Sequence, residues 1–246
     1  MILSEVPIAI VTGGSSGIGH ATVERLRAND IYVIVLDLRE PPVGSFNLFI
    51  PCDVSNEAQV KAAVEKVGAL TGRVNVLVNC AGIIERAACI EEIELQEFDR
   101  VAGVNLKGPL IAIKYAVPFM KSAGGGAIVN ISSIVGLSGA PAYPIYAATK
   151  GGLIVLGLSL ARALAPFNIR VNTICPGSVK DTKFIIHNLG RELQLNERLS
   201  LIKKIPLRQV ACPDDIAQWV AFLCSPASGT ATGAVITVDG AEMWGT

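Results

Sequence analysis

Short runs of consecutive apolar residues alternate along this chain with longer segments in which apolar residues recur at helical spacing. The apolar runs predict strands at residues 8–13, 32–37, 47–54, 74–82, 127–133, 169–177 and 234–240. The longer segments predict helices at about 17–29, 56–70, 95–122, 146–167, within 181–203 and at 213–224. Because the strand runs are apolar throughout, rather than at every second position, we expect helices to cover both faces of the sheet.

This alternation predicts an α/β fold with one doubly wound parallel sheet of about seven strands and right-handed crossovers. No Pro/Gly/Ser-rich linker, charge block or internal repeat divides the 246 residues. We therefore expect a single domain over residues 1–246, with a substrate lid near 178–208.

Composition changes this picture little, except for its high apolar content of 51% and mean hydropathy of +0.50. A membrane span needs roughly 18 apolar residues without interruption. The most apolar stretch, at 151–161, is shorter and lies between Lys150 and Arg162. We therefore predict no membrane span, and attribute the apolar excess to buried strands and contacts between subunits.

Charge and cysteine usage exclude several classes of protein. The 21 basic and 21 acidic residues cancel, so no overall field attracts nucleic acid or an anionic membrane. The six cysteines form no CxxC pair, and the first residues lack the features of a signal peptide. These features favour free thiols in the cytoplasm. Two histidines without ligand spacing predict no metal site.

The first predicted strand runs into the glycine turn TGGSSGIG, residues 12–19. Gly13, Gly17 and Gly19 allow a tight turn and a close approach of the backbone to a pyrophosphate, and the next helix directs free N–H groups at that anion. Asp37, at the end of the second strand, can accept hydrogen bonds from a ribose and repel a 2′-phosphate. This favours NAD(H) over NADP(H). A simple strand cap at Asp37, or tolerance of phosphate through Arg39, are the alternatives.

Two tyrosines compete for a catalytic role in AYPIYAATKGG, residues 142–152. A helix that begins near Tyr146 places Lys150 beside its phenol, one turn later. Tyr143 precedes Pro144, which disfavours a helical conformation at position 143. We expect Lys150, helped by a positively charged nicotinamide, to lower the pKa of Tyr146 from about 10 and to make it a better proton donor and acceptor. Ser133 ends the fifth strand, where it can polarise the same substrate oxygen.

These motifs, taken in order, resemble the short-chain dehydrogenase/reductase family in its compact branch, which has a single-domain Rossmann-type fold. The resemblance includes the unusual glycine spacing, the Ser-Tyr-Lys set and Asn105 in VAGVNLKG. It implies Tyr146 as general acid/base, Ser133 as partner of the substrate oxygen, Lys150 as ribose ligand, and Asn105 as holder of a water linked to Lys150. It also implies cofactor contacts from Gly13, Ser15, Ser16, Gly17, Ile18, Gly19, Asp37, Leu38, Asp53, Val54, Asn79, Ala81, Gly82, Tyr146, Lys150, Pro176, Gly177, Val179 and Thr182.

Two positions depart from the family pattern. Cys80 replaces the usual second asparagine after the fourth strand. The family places a threonine that hydrogen bonds to the nicotinamide carboxamide five residues after the proline of CPG. Asp181 stands at this position here, and Thr182 follows one residue later.

The resulting hypothesis is an oxidoreductase that transfers a hydride between NAD(H) and a secondary alcohol or ketone. The alternatives are an NADPH-dependent 3-oxoacyl-thioester reductase of acyl carrier protein and a non-catalytic dinucleotide sensor. Within 178–208 seven basic residues outnumber three acidic ones, and Arg86 lies near the opposite wall. This favours either an anionic substrate or a solvated helix face with subunit contacts. The apolar helix at 146–167 predicts a homodimer or homotetramer.

Overall fold

The structure is a computed structural model and describes residues 6–180 and 194–244. Within these residues the chain forms seven β-strands and eight α-helices. The strands are β1 (Ile8–Thr12), β2 (Tyr32–Asp37), β3 (Leu48–Pro51), β4 (Val76–Asn79), β5 (Gly126–Ile131), β6 (Ile169–Pro176) and β7 (Val235–Val238). The helices are α1 (Gly17–Ala28), α2 (Glu57–Thr71), α3 (Leu95–Ala102), α4 (Gly108–Ser122), α5 (Val135–Ser138), α6 (Pro144–Leu164), α7 (Leu195–Lys204) and α8 (Pro213–Cys224).

All seven strands pair in parallel, in the order β3-β2-β1-β4-β5-β6-β7. The order reverses between β1 and β4, and ligands of doubly wound sheets bind at such a switch point, beyond the carboxyl ends of the strands. The predicted Rossmann-type α/β fold is confirmed. The predictions of one domain over residues 1–246 and of a lid near 178–208 stay predictions, since 181–193 lie outside the described residues.

The core has two halves, one on each face of the sheet, because side chains alternate along each strand. Ile8 and Ile10 of β1 pack on one face with apolar residues of α2, α4 and α6. Ala9 and Val11 pack on the other face with residues of α1 and α8. Burial on both faces explains why the strands are apolar throughout, as predicted.

The helix predicted at 95–122 is wrong as a single element. The chain forms α3, then a π-helical turn over Gly103–Lys107, then α4. The wider turn brings Asn105 fully inside the protein, at 0% exposure. Glycine allows α4 to begin close to the loop after β3, because a Cβ on Gly108 would lie 3.1 Å from Val54 Cγ2. Turns of this type are rare and occur often at functional sites.

Several strands end earlier than predicted. The prediction extended three of them to residues 54, 82 and 133, whereas they end at Pro51, Asn79 and Ile131. The remaining residues form turns at the carboxyl edge of the sheet. The motifs that resemble a dinucleotide site are therefore in loops at this edge, which lets them face a ligand.

Candidate active site

The glycine turn follows β1 and has room for backbone only. Gly13 has φ +67°, and a Cβ at this position would lie 2.6 Å from the Cα of Ala81. A Cβ on Gly19 would lie 2.1 Å from the carbonyl oxygen of Gly13. Both distances are shorter than van der Waals contact, so the turn depends on glycine at these positions. The loops after β1 and β4 thereby come into contact.

Helix α1 begins at Gly17 and points its first amide groups out of this turn. Ser16 at the N-cap is extended and its side chain makes no capping hydrogen bond. The first-turn amides of Gly17, Ile18 and Gly19 are thus available for an anion, which the positive end of the helix dipole also attracts. This is the arrangement that the sequence predicted for a pyrophosphate.

Asp37 lies at the end of β2, beside the glycine turn. Its carboxylate accepts hydrogen bonds from the backbone N–H of Ser15 at 3.1 Å and of Arg39 at 3.2 Å. The Ser15 hydroxyl donates to the carbonyl oxygen of Arg39. The carboxylate is thus fixed beside the glycine turn, while Leu38 is 72% exposed next to it.

The loops after β3 and β4 place the next predicted residues. Asp53 accepts from the backbone N–H and the hydroxyl of Ser55, at 2.9 and 2.7 Å, and Val54 is buried. The buried Asn79 amide donates to Asn130 Oδ1 at 2.9 Å, so this side chain joins β4 to β5 within the sheet. Ala81 lies against Gly13 of the glycine turn, and Gly82 lies beside Lys150. Direct contact of these residues with a cofactor stays a prediction.

The segment after β6 is bonded to the chain at and after β7. Pro176 and Val179 are buried, and the Gly177 N–H donates to the carbonyl oxygen of Val238 at 3.1 Å. Glu242 accepts from the backbone N–H and the hydroxyl of Ser178, both at 2.7 Å, and so ties this segment to the chain after β7. Thr182, the remaining residue predicted to bind the cofactor, lies outside the described residues.

Ser133, Tyr146 and Lys150 come together at the carboxyl edge of β5. Tyr146 is 9% and Lys150 4% exposed, and the side chains of Ser133 and Tyr146 are hydrogen bonded. The Nζ atom of Lys150 lies 5.6 Å from the centroid of the Tyr146 ring and donates to the carbonyl oxygen of Ile131 at 2.8 Å. Tyr143 instead occupies the N-cap of α6, outside the helix, as the following proline predicted.

Burial dominates the electrostatics of this cluster. It raises the pKa of Tyr146 well above its usual value, and the hydrogen bond with Ser133 opposes that rise only in part. It lowers the pKa of Lys150 to about 8, because an ammonium loses its hydration. Desolvation is the largest contribution to the raised pKa of Tyr146 in the protein by itself, and the lowering of this pKa by Lys150 together with a bound nicotinamide stays a prediction.

The lowered pKa of Lys150 predicts a pH-dependent stability. Between about pH 8 and 10.5 the unfolded chain binds more protons at Lys150 than the native protein does, so the burial cost is relieved as pH rises. Relative to Lys150→Met, the free energy of unfolding of the wild type should rise by about 1–2 kcal/mol from about pH 7 to about pH 9.5. Urea denaturation at both pH values measures this difference. The exposed control Lys66→Met should show no such change in its difference from the wild type. The same pH-dependent difference in both variants would contradict the prediction.

Asn105 lies behind the lysine. Its Oδ1 accepts from the Ile83 N–H at 2.9 Å, and its Nδ2 donates to the Ile83 carbonyl oxygen at 2.8 Å and to Thr149 Oγ1 at 3.2 Å. A Cβ on Gly82 would lie 3.3 Å from Lys150 Nζ and 3.6 Å from Asn105 Oδ1. The two side chains thus border one space beside Gly82, and the predicted water between them stays a prediction.

Three residues that hold the site were missed by sequence reasoning. The Thr12 hydroxyl accepts from the N–H groups of Cys80 and Ala81, at 3.2 and 3.3 Å. The Ser132 hydroxyl donates to the Lys150 carbonyl oxygen at 2.8 Å. Glu85 is 1% exposed and binds the start of α6. Thr12 and Ser132 are adjacent to predicted site residues, which is a usable signal, whereas no local pattern marks Glu85.

The residues at the carboxyl edge of the sheet fit a nicotinamide dinucleotide. The glycine turn and the start of α1 suit a pyrophosphate, Asp37 offers a carboxylate for a ribose, and the Ser133–Tyr146 pair lies further along the same edge of the sheet. The chemistry of the donors and acceptors follows the order of the groups in such a cofactor.

Comparisons with known proteins agree with this geometry. A family model described as "Enoyl-(Acyl carrier protein) reductase" matches residues 13–241. The chain is 35% identical to a 3-oxoacyl-(acyl-carrier-protein) reductase of Thermotoga maritima, over 96% of this chain and 97% of the relative. It is 34% identical to the cis-4-hydroxycyclohexanecarboxylate dehydrogenase of Sinomonas cyclohexanicum, over 95% of each chain.

The fold is also that of a solved relative. The ligand-free aldohexose dehydrogenase of Thermoplasma acidophilum superposes with a TM-score of 0.92 at 32% identity, over 98% of this chain and 95% of that one. The family match and these relatives each extend over nearly the whole chain. The chain therefore belongs to the short-chain dehydrogenase/reductase family, and is an oxidoreductase of the kind that acts on alcohol and ketone groups.

Proposed function

We propose that this protein interconverts a secondary alcohol and a ketone with NAD(H), and that Tyr146 is the general acid/base. The observation that carries this proposal is the buried Ser133–Tyr146 hydrogen bond with Lys150 one helical turn further along. A protein that only bound a dinucleotide would have no use for a buried phenol paired in this way. A panel of secondary alcohols with NAD, read by the absorbance of reduced nicotinamide, tests the proposal.

Each residue has a separate task in this reaction. The bound dinucleotide supplies the hydride acceptor or donor and, when oxidised, a positive charge. Ser133 holds the substrate oxygen, and Tyr146 takes the proton from that oxygen during oxidation or returns it during reduction. Lys150 would hold the nicotinamide ribose and would stabilise negative charge on the phenol. Asn105 and Lys150 border the space beside Gly82, through which the proton reaches solvent.

The preference for NAD(H) rests on Asp37. Its carboxylate is held beside the glycine turn by two backbone N–H groups, where the adenosine ribose of a dinucleotide belongs. There it would accept hydrogen bonds from the ribose hydroxyls and would repel a 2′-phosphate. Affinities for NADH and NADPH measure this preference directly.

An anionic substrate is proposed for the same site. Lys180, Lys203, Lys204 and Arg208 are exposed on the described part of the 178–208 segment, and Arg86 is exposed after β4. The Sinomonas relative is named for a substrate that carries a carboxylate. With NADH, 4-oxocyclohexanecarboxylate should be reduced with a kcat/KM about tenfold above that of its ethyl ester, because a charge-assisted hydrogen bond is worth about 1.5–3 kcal/mol. Equal kcat/KM values for the acid and its ester would contradict the proposal of an anionic substrate. They would not affect the proposal of an alcohol/ketone reaction.

A 3-oxoacyl-thioester reductase is the second candidate, because the Thermotoga relative carries that name. Acetoacetyl-CoA with NADPH is the probe for it. If the protein turned over this thioester faster than the cyclic ketones, the thioester would replace the proposed substrate class. Asp37 argues against this candidate, because its carboxylate would repel the 2′-phosphate of NADPH.

We further propose that the protein works in the cytoplasm as a homodimer or homotetramer. The helix of residues 144–167 is long and apolar enough to span a membrane by composition. In this fold its inner side packs on the sheet, while Val155 and Leu158 are 61% and 40% exposed. A second copy would cover these side chains. Light scattering at micromolar concentration should give a dimer or tetramer, and a monomer would contradict this assembly.

A further inference from the structure

Helix α6 carries the catalytic tyrosine and begins without a local cap. Tyr143 at the N-cap makes no side-chain hydrogen bond to the helix, and Pro144 has no N–H. The next two amides, of the buried residues Ile145 and Tyr146, have no acceptor within the helix. A buried amide without an acceptor costs about 1–3 kcal/mol, so this helix start needs a partner from elsewhere.

That partner is Glu85, from the loop after β4. One carboxylate oxygen accepts from the N–H of Ile145 at 2.8 Å and of Tyr146 at 3.1 Å, and the other accepts from Tyr146 at 3.0 Å. Glu85 is 1% exposed, so these bonds form away from water. A carboxylate at this end of a helix is also attracted by the helix dipole. Glu85 therefore serves as an N-cap sixty residues distant in sequence.

The loop that carries Glu85 is itself tied to α3. Arg100 donates to the carbonyl oxygen of Ile84 at 3.1 Å and to Glu97 at 2.6 Å. Glu97 also accepts from the backbone N–H of Arg86 at 3.3 Å. The chain is thus held on both sides of Glu85, and the position of its carboxylate is determined by α3 rather than by solvent.

We propose that Glu85 is a positioning residue, which places Tyr146 by capping α6 from the loop after β4. The inference rests on the proposed function, since it assigns Glu85 a part in proton transfer through Tyr146. Both carboxylate oxygens are committed to backbone amides, so Glu85 acts on the reaction through the helix and through its charge.

The charge of Glu85 provides a readout that packing alone would not change. Within residues 6–180 and 194–244, the titratable side chains that face the phenol are Cys80, Glu85, Lys150 and Cys175. Burial makes the largest contribution to the raised pKa of Tyr146, and the charge of Glu85 adds to it. The two thiols stay neutral at working pH, because burial raises the pKa of Cys80 to about 12 and of Cys175 to about 11. Removal of the carboxylate charge should therefore make Tyr146 a stronger acid.

Three variants test the proposal: Glu85→Ala, Glu85→Gln and the exposed control Glu91→Gln. We expect Glu85→Ala to lower kcat about 100-fold with unchanged NADH affinity by fluorescence titration, because a misplacement of about 1 Å costs on the order of 10²-fold. Glu85→Gln keeps one acceptor oxygen, so it should retain more activity and shift the pH profile of alcohol oxidation toward lower pH. The control should match the wild type.

Hydrogen exchange separates failure of this inference from failure of the proposed function. Amide protection of residues 145 and 146 in the uncomplexed protein should fall in Glu85→Ala and partly in Glu85→Gln, whether or not a substrate has been found. Unchanged amide protection in Glu85→Gln would overturn the claim that Glu85 caps α6. If Glu85→Ala does not fold, the protection measured in Glu85→Gln decides the question. Wild-type kcat and pH profile in both Glu85 variants, in an enzyme that oxidises alcohols, would overturn the positioning role.

Discussion

Replacement of Tyr146 by phenylalanine should lower kcat for a secondary alcohol by a factor of about 10³, within the range of about 10²–10⁴ that general acid/base groups contribute. The substitution removes the oxygen of Tyr146 that hydrogen bonds to Ser133 and leaves the ring in its buried site. The glycine turn and Asp37 are unaffected, so NADH should bind with unchanged affinity by fluorescence titration. Loss of turnover with retained binding is the result expected of a proton-transfer residue.

Tyr143→Phe is the matched control, since it makes the same chemical change three residues earlier. Tyr143 precedes α6 and makes no capping hydrogen bond through its side chain. Its variant should therefore keep kcat within about twofold of the wild type. Normal turnover in both variants would remove Tyr146 from the mechanism, and loss of activity in Tyr143→Phe alone would assign the proton transfer to the other phenol.

Replacement of Asp37 by serine should shift the ratio of affinities for NADH and NADPH by about 100-fold toward NADPH, or roughly 2.7 kcal/mol. The carboxylate that repels a 2′-phosphate is lost, while the shorter hydroxyl still offers an acceptor near the Ser15 N–H. Fluorescence titration with the two reduced cofactors measures the ratio.

Glu40→Gln serves as the control for this experiment, because it removes an exposed charge three residues further along. Its ratio should equal that of the wild type, since exposed charges are screened by salt. A wild-type protein that already prefers NADPH would overturn the role of Asp37. Arg39 would then be the residue to examine, because its backbone is bonded to the same carboxylate.

Local sequence determines the architecture of this protein and the order of its motifs. The seven apolar runs predict the seven parallel strands because burial on both faces removes the polar alternation of an ordinary strand. The glycine turn is predictable because steric exclusion of a Cβ acts between neighbours in one turn, as at Gly13 and Gly19. Tyr146 can be distinguished from Tyr143 because Pro144 and the four-residue spacing to Lys150 are both local.

Only the tertiary structure decides how these residues are held and how acidic they are. The acceptor for the start of α6 is Glu85, sixty residues away, and no pattern around Pro144 indicates it. The side chain of Asn105, in the π turn, is hydrogen bonded to the backbone of Ile83, 22 residues earlier in the chain, and no local helix pattern indicates this partner. The pKa of Tyr146 rises although a lysine stands one turn away. Desolvation depends on every atom that excludes water from a group, and that set is assembled only when distant parts of the chain pack together.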